Sequence, residues 1–135
     1  ITAERDSLSA PLDKIQIVKG WTEDGKEKEV VYDVICSDER EINNRKNRCK
    51  PTKAKVDFDN CSFEENYGAD RLEVLWTDDE YSLEQNVFYY VRAIENPTCR
   101  WSTYDSIRID EKPSKNYPKI TREMAWSSPI WVKNN

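Results

Sequence analysis

The chain has 135 residues and a formal net charge of −5, with 37% hydrophobic and 35% charged residues. This length predicts one domain covering residues 1–135, and its lean core must draw much of its apolar area from five Trp and seven Tyr. The acidic balance argues against a nucleic-acid partner. No apolar run approaches the ~20 residues that a membrane-spanning helix needs.

Two alternating segments near the start of the chain predict a β-hairpin. Within Lys14–Trp21, apolar and polar side chains fall on opposite faces, and Val30–Cys36 continues as a return strand with the same period of two. The sequence Glu23-Asp24-Gly25-Lys26 between them contains the Asp-Gly pair typical of a tight hairpin turn.

A long loop and three further strands are predicted after the hairpin. Ser37–Lys53 is polar and rich in Asn, and its basic run Arg45–Lys50 indicates a solvated loop or, alternatively, a contact with an anion or polymer. Val56–Phe63 is a strand candidate, and the alternation in Arg71–Thr77 predicts a half-buried strand. Val87–Ile94 is apolar on both faces, so we expect a central strand that is covered on both sides.

Short helical turns and a final strand complete the predicted elements. A Ser and an Asp in Ser102–Ile107 resemble a capping box that opens a helical turn, and Asp78–Gln85 is a weaker candidate for a second turn. Trp126–Trp131 predicts a strand that Pro129 confines to a sheet edge or a bulge. Together these elements predict an all-β fold, an immunoglobulin-like β-sandwich with one or two short helical turns.

The four cysteines, Cys36, Cys49, Cys61 and Cys99, are widely spaced along the chain. No C-x-x-C pair and no His accompany them, so a zinc site is not supported. The spacing indicates two disulfides and a secreted or periplasmic location, with four buried thiols in a cytosolic protein as the alternative. Of the three possible connectivities we favour Cys36–Cys49, which closes the polar loop, with Cys61–Cys99 joining separated strands.

The chemical groups that the sequence lacks argue against an enzyme. Without His, the common general base and the Ser-His-Asp and Cys-His relays are absent, and the three Gly residues stand alone rather than in a phosphate-binding loop. The acidic run Asp78-Asp79-Glu80 suits Ca²⁺ or, as we favour, a solvated turn that caps a helical turn. We therefore predict no catalytic residue, no metal ligand and no cofactor.

The aromatic residues best suited to an exposed stacking surface are Trp21, Trp101 and Trp131. Such rings stack on sugars or nucleobases, and Arg100 beside Trp101 would add a cationic contact. Packing in the core or against another domain is the alternative that we favour, with Trp76 and Trp126 in the core. Because Arg100 and Trp101 follow the predicted central strand on a loop, this loop is the best-placed part of the domain for an interface or a site.

Four separate stretches carry a specific resemblance to a known family. They are PLDKIQIVKGW at 11–21, LWTD and FYYVR at 75–78 and 88–92, ENPTCRWSTYD at 95–105 and REMAWSSPIW at 122–131. In this order they resemble the C-terminal region of domain-of-unknown-function family 3604, a family of large secreted bacterial proteins. Cys99 resembles a cysteine-containing branch of the family, whereas the turn at 78–82 lacks the proline that would be commoner there.

Members of that family resemble PHP-type metal-dependent phosphoesterases, whose histidine-rich metal motifs lie near the N-terminus. The resemblance implies a metallohydrolase parent whose catalytic ligands lie outside this chain, and no metal-binding position transfers to a residue here. The chain begins at Ile1 without Met or a signal peptide. We therefore expect a C-terminal fragment of a larger protein, with its first strand truncated.

The leading hypothesis for function is a non-catalytic accessory domain that packs on and stabilises the catalytic domain of the same parent chain. It predicts a contiguous apolar patch on the surface of the domain. The alternative is a carbohydrate- or polymer-binding module, which requires at least two coplanar exposed aromatic rings. A pocket that gathers three or more carboxylates around a metal would instead favour an enzyme in its own right.

Overall fold

The computed structural model describes residues 1–82 and 85–133. These residues form eleven β-strands and one helix, in the order β1 (Thr2–Glu4), β2 (Leu12–Glu23), β3 (Lys26–Cys36), β4 (Ile42–Asn43), β5 (Arg48–Cys49), β6 (Arg71–Glu73), β7 (Val87–Glu95), β8 (Thr98–Cys99), α1 (Trp101–Arg108), β9 (Ile120–Thr121), β10 (Met124–Trp126) and β11 (Ile130–Val132). The all-β prediction is confirmed. No described helix is long and apolar enough to cross a membrane.

The main sheet is antiparallel and has the strand order β10-β7-β2-β3, with β11 pairing the same edge of β7 as β10. β7 is therefore flanked on both sides, by β2 along one edge and by the two short C-terminal strands along the other. The predicted central position of Val87–Ile94 is confirmed. The expected cover on both faces is incomplete, since most side chains of β7 are only half-buried.

The β2–β3 hairpin has the predicted position and turn. Glu23 pairs with Lys26, which leaves a two-residue loop in which Asp24 and Gly25 have φ angles of 51° and 71°. Positive φ at both central positions is the requirement of a type I′ turn, whose twist matches that of the flanking strands. The Asp-Gly turn thus sets the register from Glu23 back to Gln16, beyond which the pairing of β2 with β3 shifts between Gln16 and Ile15.

The core lies where the small β1–β6 sheet packs against the main sheet. Leu12 and Ile15 from β2 form a buried cluster with Leu72 from β6, and partly buried apolar residues from β1, β3 and β7 pack around them. A backbone bridge between Leu12 and Ala69 joins the two layers. This arrangement of antiparallel sheets, without a closed barrel among the described strands, is consistent with the predicted sandwich.

Both disulfides have the favoured connectivity. Cys36 bonds to Cys49 at a sequence separation of 13, and Cys61 bonds to Cys99 at a separation of 38. The first closes the polar excursion after β3, in which β4 and β5 form a small hairpin. The second attaches the irregular segment after β5 to β8, and hence to the end of the central strand.

The helix is longer than the predicted turn, and the predicted capping box is wrong. α1 begins at Trp101 with Arg100 as its N-cap residue, and no side chain caps its N-terminus. Instead, the buried Thr103 hydroxyl donates to the Lys119 carbonyl at 2.8 Å, so a tertiary contact rather than a local cap holds the first turn in place. Within Asp78–Gln85 the described residues form a turn at 79–80, and positions 83 and 84 lie outside the described residues.

Two predicted strands are shorter in the structure than in the sequence-based prediction. Val56–Phe63 is reduced to a single bridge between its end residues, because Asp57 and Asn60 side chains accept hydrogen bonds from the backbone N–H groups two positions ahead, each at 2.8 Å. Such local bonds compete with a sheet ladder. The strand predicted over Arg71–Thr77 is confined to β6, after which the chain crosses the face of the main sheet.

Candidate functional site

The outer edge of the main sheet carries several large exposed apolar side chains. We call Met124–Val132 the C-terminal edge; it comprises β10, β11 and the break at Pro129 between them. Trp126, Ile130 and Trp131 are 61%, 67% and 65% exposed. Both strands pair with β7 on one side, and no described strand pairs with their other side, so backbone donors and acceptors accompany the exposed rings.

Strand register divides the exposed side chains between the two faces of the sheet. Ile130 lies opposite Tyr89, and Trp131 lies opposite Phe88 on the other face. Trp126 lies opposite Arg92, on the same face as Trp131. The prediction that Trp126 belongs to the core is wrong, since an edge strand has only one neighbour and no described layer packs over this ring.

A cleft lies on the face of the sheet that carries Ile130. We call it the Trp76 cleft; its volume is about 440 Å³ and its lining includes Ile17, Trp76, Tyr81, Tyr89, Ile130 and Val132. Trp76 is half-buried between two tyrosines, with ring centroids 5.4 Å from Tyr32 and 6.2 Å from Tyr89. The segment after β6 thus forms one wall of the cleft and the C-terminal edge forms the other.

A buried ion pair lies beside this cleft. Lys19 Nζ is 2.6 Å from Asp78 Oδ2, with side-chain exposures of 3% and 8%, and the Tyr89 hydroxyl donates to the same carboxylate at 2.5 Å. Burial alone would raise the pKa of Asp78, but hydrogen bonds from Lys19, Tyr89 and the Glu80 N–H hold that pKa below its usual value. Burial raises the pKa of Tyr89, and its bond to Asp78 raises it further.

The solvated turn that we favoured for the acidic run is confirmed only in part, because residues 79–80 form an exposed turn whereas the Asp78 side chain is buried. Asp78 forms the buried ion pair with Lys19, and Glu80 accepts a hydrogen bond from the Tyr32 hydroxyl at 3.1 Å. Within residues 1–82 and 85–133, no group of three or more His, Cys, Asp or Glu side chains is arranged to hold a metal ion. The signal that sequence analysis missed was Lys19 itself, a charged residue in phase with Ile15 and Ile17.

The second polar network lies on the opposite face of β2, around Asp33. Its carboxylate accepts hydrogen bonds from Lys14 at 2.8 Å, from Gln16 at 2.5 Å and from the Cys49 N–H at 2.8 Å. Burial alone would raise the pKa of Asp33, but these bonds more than offset it and hold the pKa below its usual value. The face of β2 that holds the predicted polar residues is therefore covered as well, by the excursion that Cys49 anchors.

Trp21 and Trp131 line one cleft of about 830 Å³ at the end of the sheet. Lys19 Nζ lies 5.3 Å from the Trp21 ring, and the Trp131 ring lies 5.1 Å from Phe88 at an interplanar angle of 47°. A Cβ atom at Gly20 would lie 2.3 Å from the Phe88 ring. Because Gly20 has no side chain, the Phe88 ring has room to lie against β2.

Arg100 and Trp101 lie near the opposite end of β7, where they begin α1 as its N-cap and first residue instead of lying on the predicted loop. They line a separate cleft of about 670 Å³ together with Ser9, Thr98, Tyr104 and Glu123, among others. Trp101 is 68% exposed, and the Arg100 guanidinium lies 5.6 Å from the Tyr117 ring. The four residues predicted as an interface or binding set thus form two pairs in two clefts, not one surface.

Comparison with known proteins identifies the family of the chain. No curated protein and no solved structure matches it significantly. The sequence pattern of a family described as "Protein of unknown function (DUF3604)" matches residues 1–134, which is nearly the whole length. The predicted family resemblance is confirmed, and the chain belongs to the DUF3604 family.

Proposed function

We propose that this chain is a non-catalytic accessory domain that packs on the catalytic domain of the same, longer polypeptide and stabilises it. The observation that carries the proposal is the C-terminal edge. Isolated exposed apolar residues are normal on a protein surface, whereas several close together favour an interaction site. Three large apolar side chains of this edge are more than half exposed.

The shape of the edge suits a protein partner. Exposed residues stand on both faces of the same edge, and the Trp76 cleft continues the apolar surface on one of them. An unpaired strand edge also offers main-chain hydrogen bonds to an extended segment. A partner that covers this edge would bury side chains on both faces and satisfy backbone groups between them.

Two other features favour a larger secreted or periplasmic protein as the setting. The two disulfides favour an oxidising compartment. The resemblance of the family to PHP-type phosphoesterases supplies the class of the catalytic partner, a metal-dependent hydrolase. The tilt of 47° between Trp131 and Phe88 favours packing over a flat sugar-stacking platform at this edge.

The proposal is tested in the full-length protein with one substitution on the edge. We expect Ile130→Asp to lower the thermal unfolding temperature of the catalytic domain, because a carboxylate would be buried at the interface without a partner. Leu75→Asp is the matched control, since Leu75 is 96% exposed outside the C-terminal edge. Differential scanning calorimetry of the two variants gives the comparison, and equal effects would contradict the proposal.

Deletion of the domain from the full-length protein provides the second test. Hydrolysis of phosphate mono- and diesters with divalent metals is measured for the intact and the shortened protein, after both are checked for folding. Retained turnover with a lower thermal unfolding temperature is expected for an accessory domain. Loss of turnover from a folded remainder would contradict the proposal, because the domain would then complete the active site.

A further inference from the structure

The cleft beside α1 differs in character from the C-terminal edge. We call it the α1 cleft; it is the cleft of about 670 Å³ that Arg100 and Trp101 line. Trp101 is 68% exposed, and the rest of the lining combines the apolar Leu8, Phe63 and Cys99 and the Tyr104 ring with hydroxyl, carboxylate and guanidinium groups. Small-ligand sites are typically concave and combine apolar and aromatic side chains with a few convergent polar groups.

The walls of the α1 cleft are held in place by contacts from several elements. The Cys61–Cys99 disulfide joins the two sides of the cleft. The N-terminus of α1 is attached to the segment before β9, because the Arg100 N–H donates to the Lys119 carbonyl at 2.9 Å. The Tyr104 hydroxyl lies 3.4 Å from the Cys61 carbonyl oxygen, to which it donates. Groups held in this way lose little conformational freedom when a ligand binds.

Several polar groups of the α1 cleft have no protein partner within the described residues. Thr98 and Thr121 are directly opposite each other in the β8–β9 ladder, so both side chains point to one side, and both line the cleft. Glu123 lines it as well. Its backbone carbonyl accepts a hydrogen bond from the Glu95 N–H at 3.1 Å. Arg100 contacts the Tyr117 ring and forms no ion pair with a described carboxylate.

The chemistry of these groups indicates which class of ligand would fit the α1 cleft. A sugar offers an apolar ring face to an aromatic side chain and hydroxyl groups that both donate and accept hydrogen bonds. Glu123 can accept from such hydroxyls, Arg100 can donate to them, and the two threonines can do both. The carboxylate in the cleft and the net charge of −5 disfavour phosphate-rich polymers. We propose that the α1 cleft binds a neutral carbohydrate, with its ring stacked on Trp101.

The test is native affinity electrophoresis of the intact chain in gels that contain laminarin, xylan or galactomannan. We expect at least one of these neutral polysaccharides to retard the wild-type protein. Trp101→Ala should weaken that binding about tenfold, which corresponds to ~1.4 kcal/mol, and Glu123→Gln should weaken it as well. Both side chains are exposed, so both variants are expected to fold.

The matched control is Trp131→Ala, which removes an equally exposed ring at the C-terminal edge and should leave the retardation unchanged. The proposal is overturned if no neutral polysaccharide retards the wild-type chain, or if the Trp101 and Trp131 variants are retarded equally. Retardation only by polygalacturonate that disappears with added salt would also overturn it. Because the edge and the cleft are different surfaces, failure here leaves the accessory-domain proposal standing.

Discussion

Buried charges on β2 are the residues that distinguish this domain from a simple apolar sandwich. Lys19 and Asp78 form an ion pair with exposures of 3% and 8%, and Asp13 binds both Arg40, at 2.5 Å, and Arg122. Breaking a buried pair costs more than the pair contributes, since the remaining charge stays buried without a partner. The Lys19–Asp78 pair joins β2 to the segment after β6. The Asp13 pairs join β2 to the Cys36–Cys49 excursion, through Arg40, and to the C-terminal region, through Arg122.

Removal of Lys19 should be strongly destabilising. We expect Lys19→Met to lower the free energy of unfolding by ~3–5 kcal/mol at neutral pH, because Asp78 is left charged and buried. Urea denaturation measures the change. The double variant Lys19→Met with Asp78→Asn should be less destabilised than the single one, since Asn keeps an acceptor for Tyr89 without the charge. If the double variant is as unstable as the sum of the single ones, this account of the site is wrong.

At the scale of elements, the features predicted from the sequence are those that a local pattern determines. The β2–β3 hairpin follows from alternation and from the Asp-Gly pair, and the central position of β7 follows from its apolar run. The start of α1 and the exposure of Trp126 depend on contacts with distant residues or on the lack of them. No local signal marks the start of α1, and Pro129 indicates a sheet edge near Trp126 without indicating that its ring is exposed.

The candidate sites show the same division at the level of side chains. Sequence analysis identified Trp101 and Arg100 as a pair beyond the central strand, and the structure places both in one cleft. Their cleft neighbours Thr98, Thr121 and Glu123 were not identified. The β8–β9 pairing that brings these residues together joins positions far apart in sequence, and strands of two residues leave no readable period.

The hairpin turn allows a clean test of backbone strain. Gly25 has φ of 71°, and a Cβ atom at this position would have no other atom within 4 Å, so a substitution there changes backbone energy without a clash. We expect Gly25→Val to destabilise the domain by ~1–2 kcal/mol. Gly25→Asn should cost less, because Asn adopts left-handed conformations more readily. Urea denaturation of both variants checks this, and equal losses would argue against a type I′ turn.

At the scale of the whole molecule, the domain resembles two thin layers joined by covalent and ionic links more than one thick apolar core. The buried apolar cluster consists of Leu12, Ile15 and Leu72, while the two disulfides and the buried carboxylates attach the irregular segments. In the chain-entropy account, loops of these lengths contribute roughly 3–4 kcal/mol each when they are closed by a disulfide. Stability should therefore depend strongly on oxidation and on pH.

Acid should unfold the domain through its buried carboxylates. The folded-state pKa values of Asp33 and Asp78 are lowered, so their stabilising contribution is complete above the unfolded pKa of ~3.9 and is lost as pH falls through the folded pKa. We expect urea midpoints to fall steeply below about pH 4. Asp33→Asn should be less stable at neutral pH but lose less on acidification, and parallel curves for the two proteins would contradict this.

The order of the strands also determines how the chain can fold. The β2–β3 hairpin closes through two residues and can form in ~1–10 μs. The pairing of β2 with β7, by contrast, brings Trp21 against Val87 and must wait for a long loop to close. Cys36 and Cys49 are 13 residues apart, whereas Cys61 and Cys99 are 38 apart, so the first loop costs less entropy to close. We therefore expect the Cys36–Cys49 disulfide to form first during oxidative folding. The Cys61–Cys99 disulfide should form later, after β7 has paired with β2.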